Sequence, residues 1–228
     1  MNSLEQTKLS FKLPQFTVLD EERYQEYQKE QEQREENERY LYYQKCGVPA
    51  KFLEVSLENY QTKTDEEKKN KETVKAFIDN PKNRVLILCG NNGNGKSHLG
   101  CAILRQRLGG YITSSDLCIE YEASTSYHAP RTREEMLKYF SKKNMLVIDE
   151  CGKYMLNENL EKFLLVYLIS ARYENNLPTV LITNANKKEF IEFLGKSVYD
   201  RLTEVCTTLE FTGESKRKGL RENKTADK

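Results

Sequence analysis

Eight consecutive residues carry the clearest chemistry in this chain of 228: Gly90-Asn91-Asn92-Gly93-Asn94-Gly95-Lys96-Ser97. They fill every fixed position of G-x-x-x-x-G-K-[ST], the pattern of a loop that cradles phosphates. Its glycines let the backbone take positive φ and approach a polyphosphate with no Cβ between. The loop N–H groups, with the first turn of a helix that begins near His98, make an anion site. Lys96 is expected to pair with the β- and γ-phosphates of a nucleoside triphosphate, and the Ser97 hydroxyl to ligate Mg²⁺. Residues 90–98 are therefore the expected nucleotide contacts.

Two further groups fall downstream. Asp149-Glu150 closes the apolar run Met145-Leu146-Val147-Ile148. At the end of a strand beside a phosphate loop, Asp149 suits the Mg²⁺ shell, and Glu150 suits orienting and deprotonating an attacking water. Taken alone, the pair also reads as a strand running into a solvated acidic turn; the phosphate loop upstream favours the chemical reading. Asn184 ends another apolar run, Thr179–Thr183. There it fits a group that senses the γ-phosphate or the water, or a plain turn asparagine.

These groups need a scaffold that presents them at one edge. Short apolar runs predict parallel strands at 85–89, 110–114, 145–149, 179–183 and 207–211. Between them lie helical patterns. One follows the loop from His98 to Leu108 and is expected to stop at Gly109-Gly110. Another runs from about Leu117 to Tyr121 behind a Ser114-Ser115-Asp116 cap. A third starts at Thr132–Glu135, with Met136, Leu137, Tyr139 and Phe140 on its apolar face. Residues 158–173 place Leu160, Phe163, Leu164, Tyr167, Leu168 and Ala171 at helical spacing, and a short helix is expected at 188–194. Ahead of the first strand, residues 64–80 are expected to bury Val74, Ala76, Phe77 and Ile78, with Asp79-Asn80-Pro81 as the stop. The fold class is α/β: a P-loop NTPase whose five-stranded parallel sheet is flanked by helices.

The rest of the chain bounds the partners. Lys and Arg number 36 against 35 Asp and Glu, a net charge of +1, so any polyanion must be met by a local patch. Residues 1–19, with Pro14, read as an irregular lead-in. Residues 20–45 are helix-prone but nearly coreless, with Tyr24, Tyr27, Tyr40, Tyr42 and Tyr43 as their main apolar groups. Such a segment is either a solvated extension or a docking arm covered by another protein. Six cysteines without a C-x-x-C pair suit buried thiols in a reducing compartment, and suggest no zinc site. With no apolar run of membrane length and no signal segment, the expected location is the cytoplasm, away from membranes.

In order, the phosphate loop, Asp149-Glu150, Thr183-Asn184 and Asp200-Arg201-Leu202 resemble an AAA+ ATPase. Gly47-Val48-Pro49-Ala50-Lys51-Phe52 ahead of this core, and Phe211-Thr212-Gly213-Glu214-Ser215-Lys216-Arg217 after it, narrow the resemblance to the DnaC/IstB family. The resemblance implies ATP as the nucleotide, hydrolysed with Mg²⁺. It implies Asn184 as the sensor residue, and Arg201 as an arginine finger acting on the ATP of the next protomer of an AAA+ oligomer. Arg217 would be a second arginine near the nucleotide. Only 17 residues follow Phe211, too few for the helical lid most AAA+ proteins carry. The implied organisation is a helical partner-binding arm (1–46), an AAA+ ATPase domain (47–217) and a basic tail (218–228).

The implied activity is loading a replicative helicase onto single-stranded DNA, with the helicase gripped by residues 1–46. The alternative is an IstB-like transposition helper. A P-loop kinase for a small molecule suits Asp149-Glu150 less well. The basic stretch Arg131, Arg133, Lys138, Lys142 and Lys143 is either a DNA-facing surface or a solvated helix face.

Overall fold

Five parallel strands form one sheet in the order β2-β3-β4-β1-β5. They are β1 (Val85–Gly90), β2 (Gly110–Thr113), β3 (Leu146–Cys151), β4 (Thr179–Thr183) and β5 (Cys206–Phe211). The computed structural model describes residues 18–80, 85–153, 157–213 and 215–216. The lead-in with Pro14, the Pro81 stop, Arg217 and the basic tail lie outside the described residues.

Alternation along each strand makes two cores, because successive side chains leave opposite faces. Leu86 and Leu88 of β1, Val147 of β3, and Val180 and Ile182 of β4 pack on one face. The helices there are α2 (Asp65–Asp79) and α3 (Lys96–Gln106). Val85, Ile87, Leu146, Ile148 and Leu181 pack on the other. That face carries α4 (Ser114–Ala123), α5 (Arg133–Ser141), α6 (Glu158–Glu174), α7 (Lys187–Leu194) and α8 (Lys196–Leu202). All five expected strands are present within a residue or two of their expected ends.

Several helices depart from the pattern in the sequence, each for a local reason. In α2, Ala76 is exposed, and the buried side is Asn70, Val74, Phe77 and Ile78. Asn70 belongs there because its amide donates to Glu210 O at 3.1 Å, tying α2 to β5. Helix α3 ends at Gln106, before the glycines, and Arg107 is its C-cap with φ −126°. Gly109 serves another purpose: a Cβ there would collide with Met145 O. Helix α4 is capped by Thr113, whose side chain accepts from Asp116 N, so it starts at Ser114 rather than near Leu117.

The apolar stripe expected on α6 is rotated by one residue. The buried side chains are Glu161, Leu164, Leu165, Leu168, Ile169 and Arg172, while Phe163 and Tyr167 are 50% and 42% exposed. Hydrophobic counting placed the stripe wrongly because both ends of the real one are charged. Arg172 is fully buried and is held by a hydroxyl and backbone carbonyls. It donates to Thr179 Oγ1 (2.8 Å) and to the carbonyls of Phe140 (3.0 Å), Ser141 (3.3 Å), Lys143 (2.7 Å) and Pro178 (2.6 Å). Burial pulls its pKa down to about 10, so it keeps its charge at neutral pH. One guanidinium thus joins α6, the end of α5 and the lead into β4.

Helix α1 (Val18–Lys45) crosses a boundary in the chain. Contacts divide the protein into residues up to Leu41 and residues from Tyr42 onward. Between Glu21 and Leu41 every residue but Gln31 is exposed, including Tyr24 at 58% and Tyr27 at 59%. Tyr43 is different from the other tyrosines of this helix. It is 3% exposed in the α2–α3 core, and its hydroxyl donates to Cys101 O at 3.5 Å. The last turn of α1 therefore belongs to the unit that carries the sheet.

Candidate functional site

The loop between β1 and α3 opens onto a cleft of about 910 Å³ at the carboxyl ends of the strands. Gly95 is the N-cap of α3, with φ +88° and no side-chain cap. Helices α2, α5 and α7 have full capping boxes, so their first N–H groups are occupied. The first N–H groups of α3 are left to face the cleft, as an anion site requires. Lys96, 4% exposed, donates to Gly90 O at 2.7 Å and Asn91 O at 2.5 Å, so its ammonium sits inside the loop's own curve.

Asn92, Gly93, Gly95, Lys96, Ser97 and His98 line this cleft together with Asp149, Glu150 and Asn184. Three separate strand ends thus converge on one cavity. Gly90, Asn91 and Asn94 complete the loop with their side chains or backbone turned elsewhere. Asn91 Nδ2 donates to Thr212 O at 3.2 Å, and Asn94 Nδ2 to Gly213 O at 2.7 Å and Phe211 O at 3.3 Å. These two asparagines stitch the loop to the segment after β5. Lys216 N closes the seam on Gly93 O at 3.0 Å.

The carboxylates differ in setting. Asp149 is 3% exposed; its Oδ1 accepts from Glu150 N at 2.7 Å and its Oδ2 from the Tyr111 hydroxyl at 2.7 Å. Burial first, and the adjacent Asp149 next, push the Tyr111 phenol far above its ordinary pKa, so it remains a donor. Glu150 has φ +58° and is exposed to the cleft, with Lys153 Nζ 3.7 Å from its carboxylate. A shift of register between Ile148 and Cys151 bends β3 at this point. Glu161 holds the bend, with its Oε1 accepting from Gly152 N at 2.7 Å. A left-handed non-glycine residue in a bulge is a costly conformation, typical of working sites.

A serine hydroxyl and a buried carboxylate in one cleft form a hard-oxygen donor set, which fits Mg²⁺. Ser97 and Asp149 are the residues that would hold it. His98 lines the cleft, but its Nε2 is 3.0 Å from Ser56 O and must donate there. Burial lowers the pKa of this imidazole, so it enters as a neutral ring. Arg201 is exposed on α8 and does not line the cleft of its own chain.

One wall joins the two flanking segments, through Phe52 and Lys216, to residues that belong to no motif. Phe52, Asn59, Tyr60 and Lys63 line the cleft, as does Lys216. Tyr60 donates to Asn94 O at 3.3 Å and meets His98 edge-on at 5.3 Å. Lys216 lies over the Tyr60 ring at 4.3 Å while pairing with Glu67 at 2.9 Å. Asn59, Tyr60 and Lys63 carry no signal beyond their position between Gly47–Phe52 and the loop.

A model of the family described as IstB-like ATP binding protein matches residues 3–225. The chain belongs to the IstB-like ATP-binding family. Proteins similar to it include one named replicative helicase loader DnaC from Buchnera aphidicola subsp. Schizaphis graminum. It is 25% identical over 165 residues, covering 69% of this chain and 67% of that one. The ATP-binding protein of insertion sequence IS5376 from Geobacillus stearothermophilus is 31% identical over 180 residues, covering 73% and 69%. A crystal structure of the DnaC helicase loader superposes with a TM-score of 0.62 at 22% identity, covering 72% of this chain and 100% of that one. The IstB-like chain is an ATPase with an AAA+ type sheet. Among the described residues no helix is long and apolar enough to cross a membrane.

Proposed function

We propose that this ATPase loads a replicative helicase onto single-stranded DNA. Of residues 1–46, the part up to Leu41 is the partner-binding arm; the last turn of α1 packs with the ATPase domain (47–217), and 218–228 is a basic tail. The observation that carries the reading is α1. A helix exposed along almost its whole length before Tyr42, with tyrosines at 24 and 27 facing solvent, offers amphipathic area that a protein surface would cover. The relative named as a helicase loader supplies the kind of partner. A shallow groove along α5 and its flanks, where Arg131, Lys138, Lys142 and Lys143 outnumber Glu135 around Tyr139, offers a local positive patch for DNA phosphates.

Within the cleft, Lys96 binds the β- and γ-phosphates, Ser97 and Asp149 hold Mg²⁺, Glu150 activates water and Asn184 senses the γ-phosphate. The metal would neutralise charge developing on the phosphates. Arg201 acts on the ATP of a neighbouring protomer in an AAA+ oligomer, and Arg217 adds a second arginine near the nucleotide. Arg201→Ala and Lys96→Ala should each be inactive alone, since one lacks the finger and the other the pocket. Mixed, they regain part of the ATPase activity through interfaces that pair a good pocket with a good finger. No recovery in mixtures shown to co-assemble would place the role of Arg201 within its own subunit.

The partner test compares the full chain with a form beginning at Tyr42, which keeps buried Tyr43. The shorter form should bind ATP as the full chain does and lose co-migration with a replicative helicase. Helicase retained by the shorter form would move the partner site onto the ATPase domain. The second reading, a transposition helper, is favoured by the 31% identity to the insertion-sequence protein. Binding to a transposase and duplex DNA, with no affinity for the helicase, would decide for it.

A further inference from the structure

Tyr111 reaches the proposed metal ligand Asp149 from outside the nucleotide motifs. It stands on β2, the edge strand beside β3, and pairs in register with Val147. Asp149 is two residues further along β3, on the same face, because alternate residues share a face. A tyrosine can span that diagonal between neighbouring strands. Its hydroxyl does so, donating to Asp149 Oδ2 at 2.7 Å from a ring only 7% exposed.

The geometry leaves Asp149 little freedom. The Glu150 N–H fixes one carboxylate oxygen and the Tyr111 hydroxyl the other. Each oxygen has two acceptor directions, so one on each is committed and one is left for another ligand. Without the phenol, a carboxylate 3% exposed would hold a buried oxygen with no donor, and its rotation would no longer be set. Tyr111 is itself anchored. Its N–H donates to Cys46 O at 2.8 Å, and Gly47 passes so close that a Cβ there would strike Tyr111 O.

We propose that Tyr111 is a positioning residue for the magnesium-binding carboxylate, orienting Asp149 so that its unoccupied oxygen direction faces the ion. Tyr111 does not line the nucleotide cleft, so it acts through Asp149 alone. The proposal rests on the reading of Asp149 as the Mg²⁺ ligand. Hydrogen-bonded partners of metal ligands are commonly worth 10- to 100-fold in metal affinity.

The test is Tyr111→Phe, which keeps the ring and removes one oxygen, beside Asp149→Ala as a reference. Affinity for a fluorescent ATP analogue is measured in EDTA and across a Mg²⁺ titration, and Mn²⁺ binding is followed by electron paramagnetic resonance. In EDTA, Tyr111→Phe should match wild type within about twofold, which also shows that the pocket is folded. Its Mg²⁺ half-saturation should rise about tenfold, with Mn²⁺ weakened in parallel, and turnover should recover at saturating Mg²⁺. An unchanged metal requirement in Tyr111→Phe, while Asp149→Ala loses the metal response, overturns the positioning role and leaves Asp149 as ligand. A normal metal response in Asp149→Ala overturns the ligand assignment, and the inference with it.

Discussion

Glu150→Gln protein will bind ATP with wild-type affinity and hydrolyse it on the order of 100-fold or more slowly, the usual scale for losing a general base. The amide keeps the size and reach of the carboxylate but cannot accept a proton at neutral pH. Binding is expected to survive because Lys96 and the open first turn of α3 do not depend on Glu150. The backbone at Glu150 should also survive, since φ +58° is fixed by Glu161 on Gly152 and by the register shift in β3, not by the Glu150 side chain. Equilibrium binding of a fluorescent analogue and steady-state phosphate release measure the two halves separately. Turnover within threefold of wild type would remove Glu150 from the role of base.

The second large effect is on stability. Arg172→Ala should cost about 4 kcal/mol, because it strips a charged donor from five buried or half-buried acceptors and leaves a space the size of the guanidinium. For a domain of this size that corresponds to a melting temperature lower by roughly 10 °C. Arg172→Lys should recover less than half of the loss, since one ammonium cannot reach five acceptors spread over residues 140–143 and 178–179. Differential scanning calorimetry on the full chain gives the comparison. ATP affinity below the transition should be unchanged, because Arg172 binds the leads into β3 and β4, at the end of the sheet opposite the cleft. A melting point within 2 °C of wild type would show that the clamp is dispensable.

Much of the architecture was legible in the sequence for one physical reason. A strand covered on both faces must be apolar throughout, and Val85–Cys89, Leu146–Ile148 and Val180–Ile182 announce themselves that way. The phosphate loop was legible because its chemistry demands particular residues at fixed spacing. The face of α6 was not, since Glu161 and Arg172 are buried with polar partners supplied by distant segments. Phe163 and Tyr167 misled in the opposite direction: both are apolar enough to suggest a core and both face solvent. Tyr111 was invisible as part of the site. Its partner is chosen by strand order, and nothing local says that β2 will lie beside β3. Gly109 read as a helix stop because a glycine after a helix usually is one, whereas its actual neighbour is Met145 across the sheet. Tyr43 read with the other tyrosines of the arm for want of any sign that the sheet unit begins within the helix.

The stitching of Asn91, Gly93 and Asn94 to residues 211–216 bears on how this loop can be exchanged between proteins. The pattern G-x-x-x-x-G-K-S leaves those middle positions free, which suggests a cassette that any strand and helix could host. Here two of the free positions are spent on the carbonyls of Phe211, Thr212 and Gly213, and the loop's own Gly93 carbonyl receives Lys216. Loop and strap form a matched pair separated by more than a hundred residues. The smallest unit that can be transplanted intact is therefore discontinuous, and a graft of the loop alone carries half of a joint.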